Sequence, residues 1–248
     1  MLAIAMVGLP ARGKTFIANK LARYLGWRGH GARVFNVGNY RREHLGANKP
    51  AAFFDPDDQD AAQARMRVAE LALEDMLTWI APGRVGIFDA TNSTRDRRAM
   101  IVARCERAGV PVMFVETICN DVRVVEANIR ATKLSLPEYA DVDPSQAARD
   151  FRMRIAHYRR AYQPMSDLGL SWVKLIDDRQ VVVNRVEAPI ARQLVPFLFS
   201  LRQRRDAPLW ITRHGESAFN VAGRIGGDAP LSERGEAFAR ALAGYFEG

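Results

Sequence analysis

The sequence predicts an α/β fold with a doubly wound, mostly parallel sheet. Two observations carry that expectation. Short apolar runs alternate with longer stretches of helical spacing, the pattern of strand–helix–strand units. The first apolar run, Leu2 to Val7, also meets the first helical stretch through a glycine-containing loop, Gly8-Leu9-Pro10-Ala11-Arg12-Gly13-Lys14-Thr15.

That loop fits G-x-x-x-x-G-K-[ST]. Its backbone N–H groups and the positive end of the following helix attract a polyphosphate. The continuous apolar run before it reads as a buried parallel strand. Phe16, Ile17, Leu21 and Leu25 after it have helical spacing. The expected fold is therefore of the P-loop NTPase type, and the expected ligand is a nucleoside triphosphate. Gly8, Ala11, Arg12 and Gly13 belong to the cradle. Lys14 is expected to reach the β/γ-phosphates and Thr15 to hold Mg²⁺ through its hydroxyl.

Composition narrows the function classes. A chain of 248 residues suggests one or two domains, and 48% hydrophobic with 26% charged residues is ordinary for a globular protein. No apolar stretch approaches the roughly 20 residues of a membrane span. The apolar start lacks a basic leader and is not read as a signal peptide. Two cysteines, Cys105 and Cys119, form no disulfide framework, so a cytoplasmic location is the simplest assignment. The net charge of +8 comes mostly from arginine, with only five lysines (Lys14, Lys20, Lys49, Lys133 and Lys174). Arginine suits bidentate phosphate binding, although a solvated arginine coat reads the same way. No nucleic-acid signature and no basic tract with interleaved aromatics is present. The expected partners are small phosphorylated molecules, with no nucleic acid and no membrane.

Taken in order, a first helix spans about 13–28 and a second strand 33–37. Asn39-Tyr40-Arg41-Arg42 then reads as a basic loop at the ligand edge of the sheet. Its arginines are anion binders or solvated surface. A loop over 47–60 leads to a helix capped by Asp57, Asp58 or Asp60, with Ala69, Ala72, Leu73, Met76, Leu77 and Ile80 on one stripe. Arg65 extends that stripe toward the ligand edge and needs an anionic partner, either a phosphate or an internal carboxylate. Arg84 to Asp89 is a strand ending in a carboxylate, as phosphate-loop enzymes place one near metal or nucleophile. Asp89 to Arg98 then enters a helix through small polar residues and arginines, an anion site or an ordinary capped helix start. A further strand spans 111–116. The helix after Cys119 ends near Lys133, where a lysine on its own is a dipole partner or solvated. In a helix of about 145–163, Arg154 and Tyr158 share an inward face and either meet a common ligand or bond structurally. Strands at 172–176 and 181–184, then a helix of about 187–204, complete the first domain, placed at 1–205.

The remaining residues, 206–248, open with Leu209 to Ser217. A strand leading into Arg213-His214-Gly215-Glu216 is similar to histidine phosphatases, in which the histidine attacks a phosphate monoester. Asn220 and Gly223 to Asp228 extend the likeness. No second histidine follows, so an incomplete histidine-phosphatase-like segment without phosphatase activity is expected, either cut inside a domain or reduced.

The order of these motifs resembles the 6-phosphofructo-2-kinase/fructose-2,6-bisphosphatase family. The resemblance rests on GLPARGKT, VFNVGNYRR, FDATNSTRDRR, the Glu116–Cys119 stretch, VVNRV at 182–186, and RHGES followed by GRIGGD. It implies an ATP- and Mg²⁺-dependent kinase acting on fructose 6-phosphate. Lys14, Asp89 and Lys133 would be its catalytic residues, and Thr15 and Asp89 its metal residues. Arg41, Arg65, Thr91, Arg97, Arg154 and Tyr158 would bind substrate. Cys119, Asn128 and Val183 would lie near the nucleotide. Arg213, His214 and Asn220 match the phosphatase motif. The resemblance further implies a homodimer, here without the family's N-terminal regulatory extension. Another P-loop kinase, for polynucleotides or other small molecules, and a non-catalytic nucleotide-binding module are the alternatives.

Overall fold

The computed structural model describes residues 1–132, 136–177, 179–201 and 212–247, and they fall into two compact units divided after Gln203. In the first unit a six-stranded sheet is formed by β1 (Leu2–Val7), β2 (Gly31–Asn36), β3 (Arg84–Asp89), β4 (Val112–Ile118), β5 (Trp172–Ile176) and β6 (Gln180–Asn184). Their order is β2-β3-β1-β4-β5-β6. All neighbours are parallel except β5 and β6, so the expected doubly wound, mostly parallel sheet is what forms.

The alternation of β1 shows how the sheet is covered. Leu2, Ile4 and Met6 face one side, where Leu21 and Leu25 of α1 (Lys14–Trp27) pack beside Ala191, Leu194 and Leu198 of α7 (Pro189–Ser200). Ala3, Ala5 and Val7 face the other, against Ala69, Ala72, Leu73 and Met76 of α3 (Gln59–Trp79) and Ile101 and Cys105 of α4 (Arg95–Arg107). Burial on both faces explains why β1 is apolar without interruption. A smaller cluster joins α5 (Val122–Thr132) to α6 (Pro144–Arg160) through Ile129, Phe151 and Ile155.

Two elements differ from expectation. Asn39 to Arg42 is not a loop but part of α2 (Val37–Leu45), capped by the Asn36 side chain, which accepts from Asn39 N–H at 3.1 Å. The helix is short and polar, and packs only Val37 and Tyr40 against the core, too few for an apolar stripe. The expected helix of 145–163 ends at Arg160, ahead of Pro164.

The second unit holds α8 (Ala218–Val221) and α9 (Glu233–Glu247), and a β-bridge pairs Ser217 with Leu231. The strand expected before His214 falls largely on 202–211, outside the described residues.

Candidate active site

Because β1 is central, the order reverses beside it, and a crevice opens at the C-terminal ends of β1, β3 and β4. A cleft of about 1240 Å³ occupies that edge. The phosphate loop forms one wall. Gly8 has φ +137°, and a Cβ there would lie 2.5 Å from the Thr117 carbonyl oxygen, so only glycine fits. Ala11 and Gly13 also take positive φ, +58° and +81°, which turns the loop into a concave row of backbone groups. Asn128 fixes this shape by donating to the Ala11 carbonyl at 3.1 Å, and Arg12 donates to the Pro10 carbonyl at 3.0 Å. Lys14, mostly buried, donates from Nζ to the Leu9 carbonyl at 2.7 Å.

Behind the loop, Thr15 donates its hydroxyl to Asp89 Oδ2 at 2.7 Å. Asp89 ends β3 opposite Asn36 of β2, whose side-chain amide donates to the same oxygen. Thr91 supports the loop through its carbonyl, which accepts from Gly8 N–H at 3.0 Å. Next to it Asn92, at φ +42°, donates to the Met6 carbonyl at 2.7 Å.

The cleft is also lined by a group of arginines. Arg41 of α2 and Arg154 of α6 converge on Glu138, at 3.0 and 3.4 Å from Oε1. Arg154 also pairs with Asp150 at 2.9 Å and donates to the Lys49 carbonyl at 2.7 Å. Arg65 binds main-chain carbonyls, those of Phe53 and, at 3.2 Å, Asp55. Arg97 donates to the Arg65 carbonyl at 3.3 Å. Burial pulls the Arg41, Arg65 and Arg97 guanidinium groups below their ordinary pKa; Glu138 opposes this at Arg41, and Tyr158 does so at Arg65 and Arg97. Desolvated cations lining the cleft favour an anionic ligand.

Lys14, Thr15, Asp89, Thr91, Cys119, Asn128 and the group Arg41, Arg65, Arg97, Arg154 and Tyr158 thus share one cleft, with Ala11, Arg12 and Gly13 in its wall. Gly8 lies just beneath. Val183 does not join them: it sits on the edge strand β6, 45% exposed, and is not part of the cleft wall. Lys133 lies outside the described residues. In the second unit Arg213 and His214 are exposed, the His214 ring contacts the Gly215 carbonyl, and the Asn220 side chain closes a capping box with Ser217. Glu138, Asp150 and Asn36 escaped sequence reasoning. Asp150, one helical turn before Arg154, was the findable one; the other two act only across space.

Fold and loop together define the class, a phosphate-loop α/β protein built to hold a polyphosphate. The 6-phosphofructo-2-kinase family model matches residues 1–205, and branch 1 of the histidine phosphatase superfamily matches 209–248. The chain belongs to the 6-phosphofructo-2-kinase family. It is 46% identical to a 6-phosphofructo-2-kinase/fructose-2,6-bisphosphatase of Arabidopsis thaliana, over 99% of this chain and 34% of that protein. It is 43% identical to the Gallus gallus protein of the same name, over 98% of this chain and 53% of that one. The chain therefore spans about a third to a half of these relatives. Among solved structures, Chaetomium thermophilum Kti12 in complex with ADP-AlF3 shares the fold, with a TM-score of 0.54, 17% identity, and coverage of 82% of this chain and all of that one. No helix among the described residues is long and apolar enough to cross a membrane.

Proposed function

We propose that the chain transfers the γ-phosphoryl group of ATP to the 2-hydroxyl of fructose 6-phosphate, giving fructose 2,6-bisphosphate and ADP. One observation carries this reading: a single cleft is lined both by the phosphate loop and by Arg41, Arg65, Arg97, Arg154 and Tyr158. Such a lining suits a nucleotide polyphosphate together with a sugar phosphate. The names of the relatives supply the sugar and its position.

The chemistry follows from positioning and charge. Sugar O2 attacks the γ-phosphorus in line, the β–γ bridging bond breaks, and ADP leaves. Lys14 exchanges the Leu9 carbonyl for β/γ oxygens, while the arginines hold the 6-phosphate. Asp89 takes either the hydroxyl proton or a place on the metal. Thr15 and Asp89 present a hydroxyl and a carboxylate 2.7 Å apart, a hard-oxygen pair that fits Mg²⁺. When bound, Mg²⁺ would supply charge neutralisation on the phosphate oxygens. Lys133 is assigned a phosphoryl-stabilising role through the family resemblance, as Cys119 and Asn128 are assigned to the nucleotide. The kinase reading covers 1–205. Residues 206–248 are read as the start of a histidine-phosphatase fold. A cytoplasmic homodimer belongs to the same reading.

The test is ADP release with ATP, Mg²⁺ and fructose 6-phosphate, followed by mild acid treatment of the product. A phosphate on the anomeric carbon is lost, whereas a 1-phosphate persists. An acid-stable product refutes the 2-kinase assignment. Release driven by an oligonucleotide instead would favour a polynucleotide kinase.

A further inference from the structure

Asn36 ends β2, and no step above uses it. The parallel register sets it beside Asp89, the last residue of β3. Its side-chain amide is engaged at both atoms. Nδ2 donates to Asp89 Oδ2, the oxygen that also accepts from Thr15. Oδ1 accepts from Asn39 N–H at 3.1 Å and so caps α2. Gly38 makes room for this arrangement, since a Cβ there would lie 2.9 Å from Asn36 Oδ1. Asn36, Gly38, Arg41 and Asp89 all line the cleft. One planar amide therefore joins the carboxylate at the end of β3 to the helix that carries Arg41.

We propose that Asn36 is a positioning residue for phosphoryl transfer: it fixes the Asp89 carboxylate and ties it to the helix bearing Arg41. This rests on the proposed function and specifies how two of its residues are held relative to each other. The terminal torsion of an aspartate is broad, so its carboxylate turns easily unless neighbours hold it. Thr15 and Asn36 approach Oδ2 from different elements and fix that plane, and both leave Oδ1 to the reactants. The two donors are not equivalent. A hydroxyl accepts as well as donates, and Thr15 is also assigned to the metal; an amide nitrogen only donates. The hold of Asn36 on Asp89 is therefore independent of what Thr15 binds. Among the favoured N-cap residues only asparagine serves both ends. Serine and threonine hydroxyls stop short of the position that the amide nitrogen reaches, and an ionised aspartate has no hydrogen to give. The 6-phosphate is held by the arginines, so losing the Asn36 donor should act on rate and leave sugar-phosphate affinity in place.

The experiment compares the wild type, Asn36→Ser, Asn36→Ala and Gly38→Ala in two measurements. One is ADP release driven by fructose 6-phosphate at saturating ATP and Mg²⁺; the other is calorimetric binding of fructose 6-phosphate without nucleotide or metal. Asn36→Ser keeps a cap on α2 and loses the donor to Asp89. Its kcat should fall roughly 10- to 100-fold, with fructose 6-phosphate affinity within about 2-fold of the wild type. Asn36→Ala loses the cap as well and should add a roughly 3- to 10-fold loss of fructose 6-phosphate affinity. Gly38→Ala improves helix propensity but crowds Asn36 Oδ1, and its kcat should fall roughly 3- to 10-fold. A merely structural Asn36 would leave the rate of Gly38→Ala unchanged or raised, and that result overturns the positioning role. Wild-type kcat in Asn36→Ser overturns it too. So does an Asn36→Ser in which kcat and sugar-phosphate affinity fall by the same factor, because the residue then supports only the fold. A wild type that releases no ADP with fructose 6-phosphate overturns the proposed function itself, and this inference with it.

Discussion

Thr15 Oγ1 and Asp89 Oδ2 lie 2.7 Å apart, although 74 residues separate them in the chain. One closes the phosphate loop and the other closes β3, so the parallel register alone brings hydroxyl and carboxylate together. If this pair receives Mg²⁺, Asp89→Asn should raise the metal concentration needed for half-maximal turnover and lower the maximal rate by roughly 100-fold. Rates measured across a Mg²⁺ series decide it. An unchanged metal dependence would remove Asp89 from the metal site.

Lys14 is held on the Leu9 carbonyl, inside its own loop. Replacing it with Met keeps the aliphatic stem and removes the charge. Turnover should fall by roughly two to four orders of magnitude, with circular dichroism unchanged. Full activity would refute phosphate contact by this residue.

The sheet was legible because its strands carry their burial in sequence: Leu2 to Val7 has no polar interruption, and Asp89 breaks an apolar run where β3 ends. Helix α2 was not, because Arg41 and Arg42 sit on a helix with too little apolar surface to mark its period. The cationic wall was visible as separate arginines. Their arrangement was not, since Glu138 holds Arg41 and Arg154 from a segment far from Arg41 in sequence. Arg65 was expected to need a phosphate or a carboxylate, and the protein gives it main-chain carbonyls, which leave no side-chain signature. Val183 lies on the exposed side of β6 and outside the cleft wall, because a motif match says nothing about which way an edge strand turns its side chains.

The two cysteines should behave differently. Cys105 is fully buried on the core-facing side of α4, and burial, reinforced by Glu106, pushes its thiol up to about 12. Cys119 is half-buried in the cleft wall. Iodoacetamide on the native protein should label Cys119 and spare Cys105, and ATP should slow the labelling. Peptide mass mapping reads both sites; labelling of native Cys105 would contradict the packing of α4.

His214 carries a phosphatase motif, is exposed, and belongs to the second compact unit. His214→Ala should leave sugar-phosphate-dependent ADP release within about 0.5 kcal/mol of the wild type, as for other surface changes. A large loss would show that the second unit supports the kinase site.

Two glycines of the loop separate steric from conformational cost. Both have positive φ, +137° at Gly8 and +81° at Gly13. A Cβ on Gly8 would strike the Thr117 carbonyl of β4, whereas one on Gly13 would meet nothing within 4 Å. Gly13→Ala should therefore cost about 1–2 kcal/mol, the price of a left-handed backbone on an L-residue. Gly8→Ala carries its own positive-φ strain and must also push β1 and β4 apart at Thr117, which adds about 1–3 kcal/mol of overpacking. Denaturant midpoints of the two variants measure the difference. Equal losses would mean that the loop moves away from β4 rather than resisting, and the cradle would then be softer than its close contact with Thr117 requires.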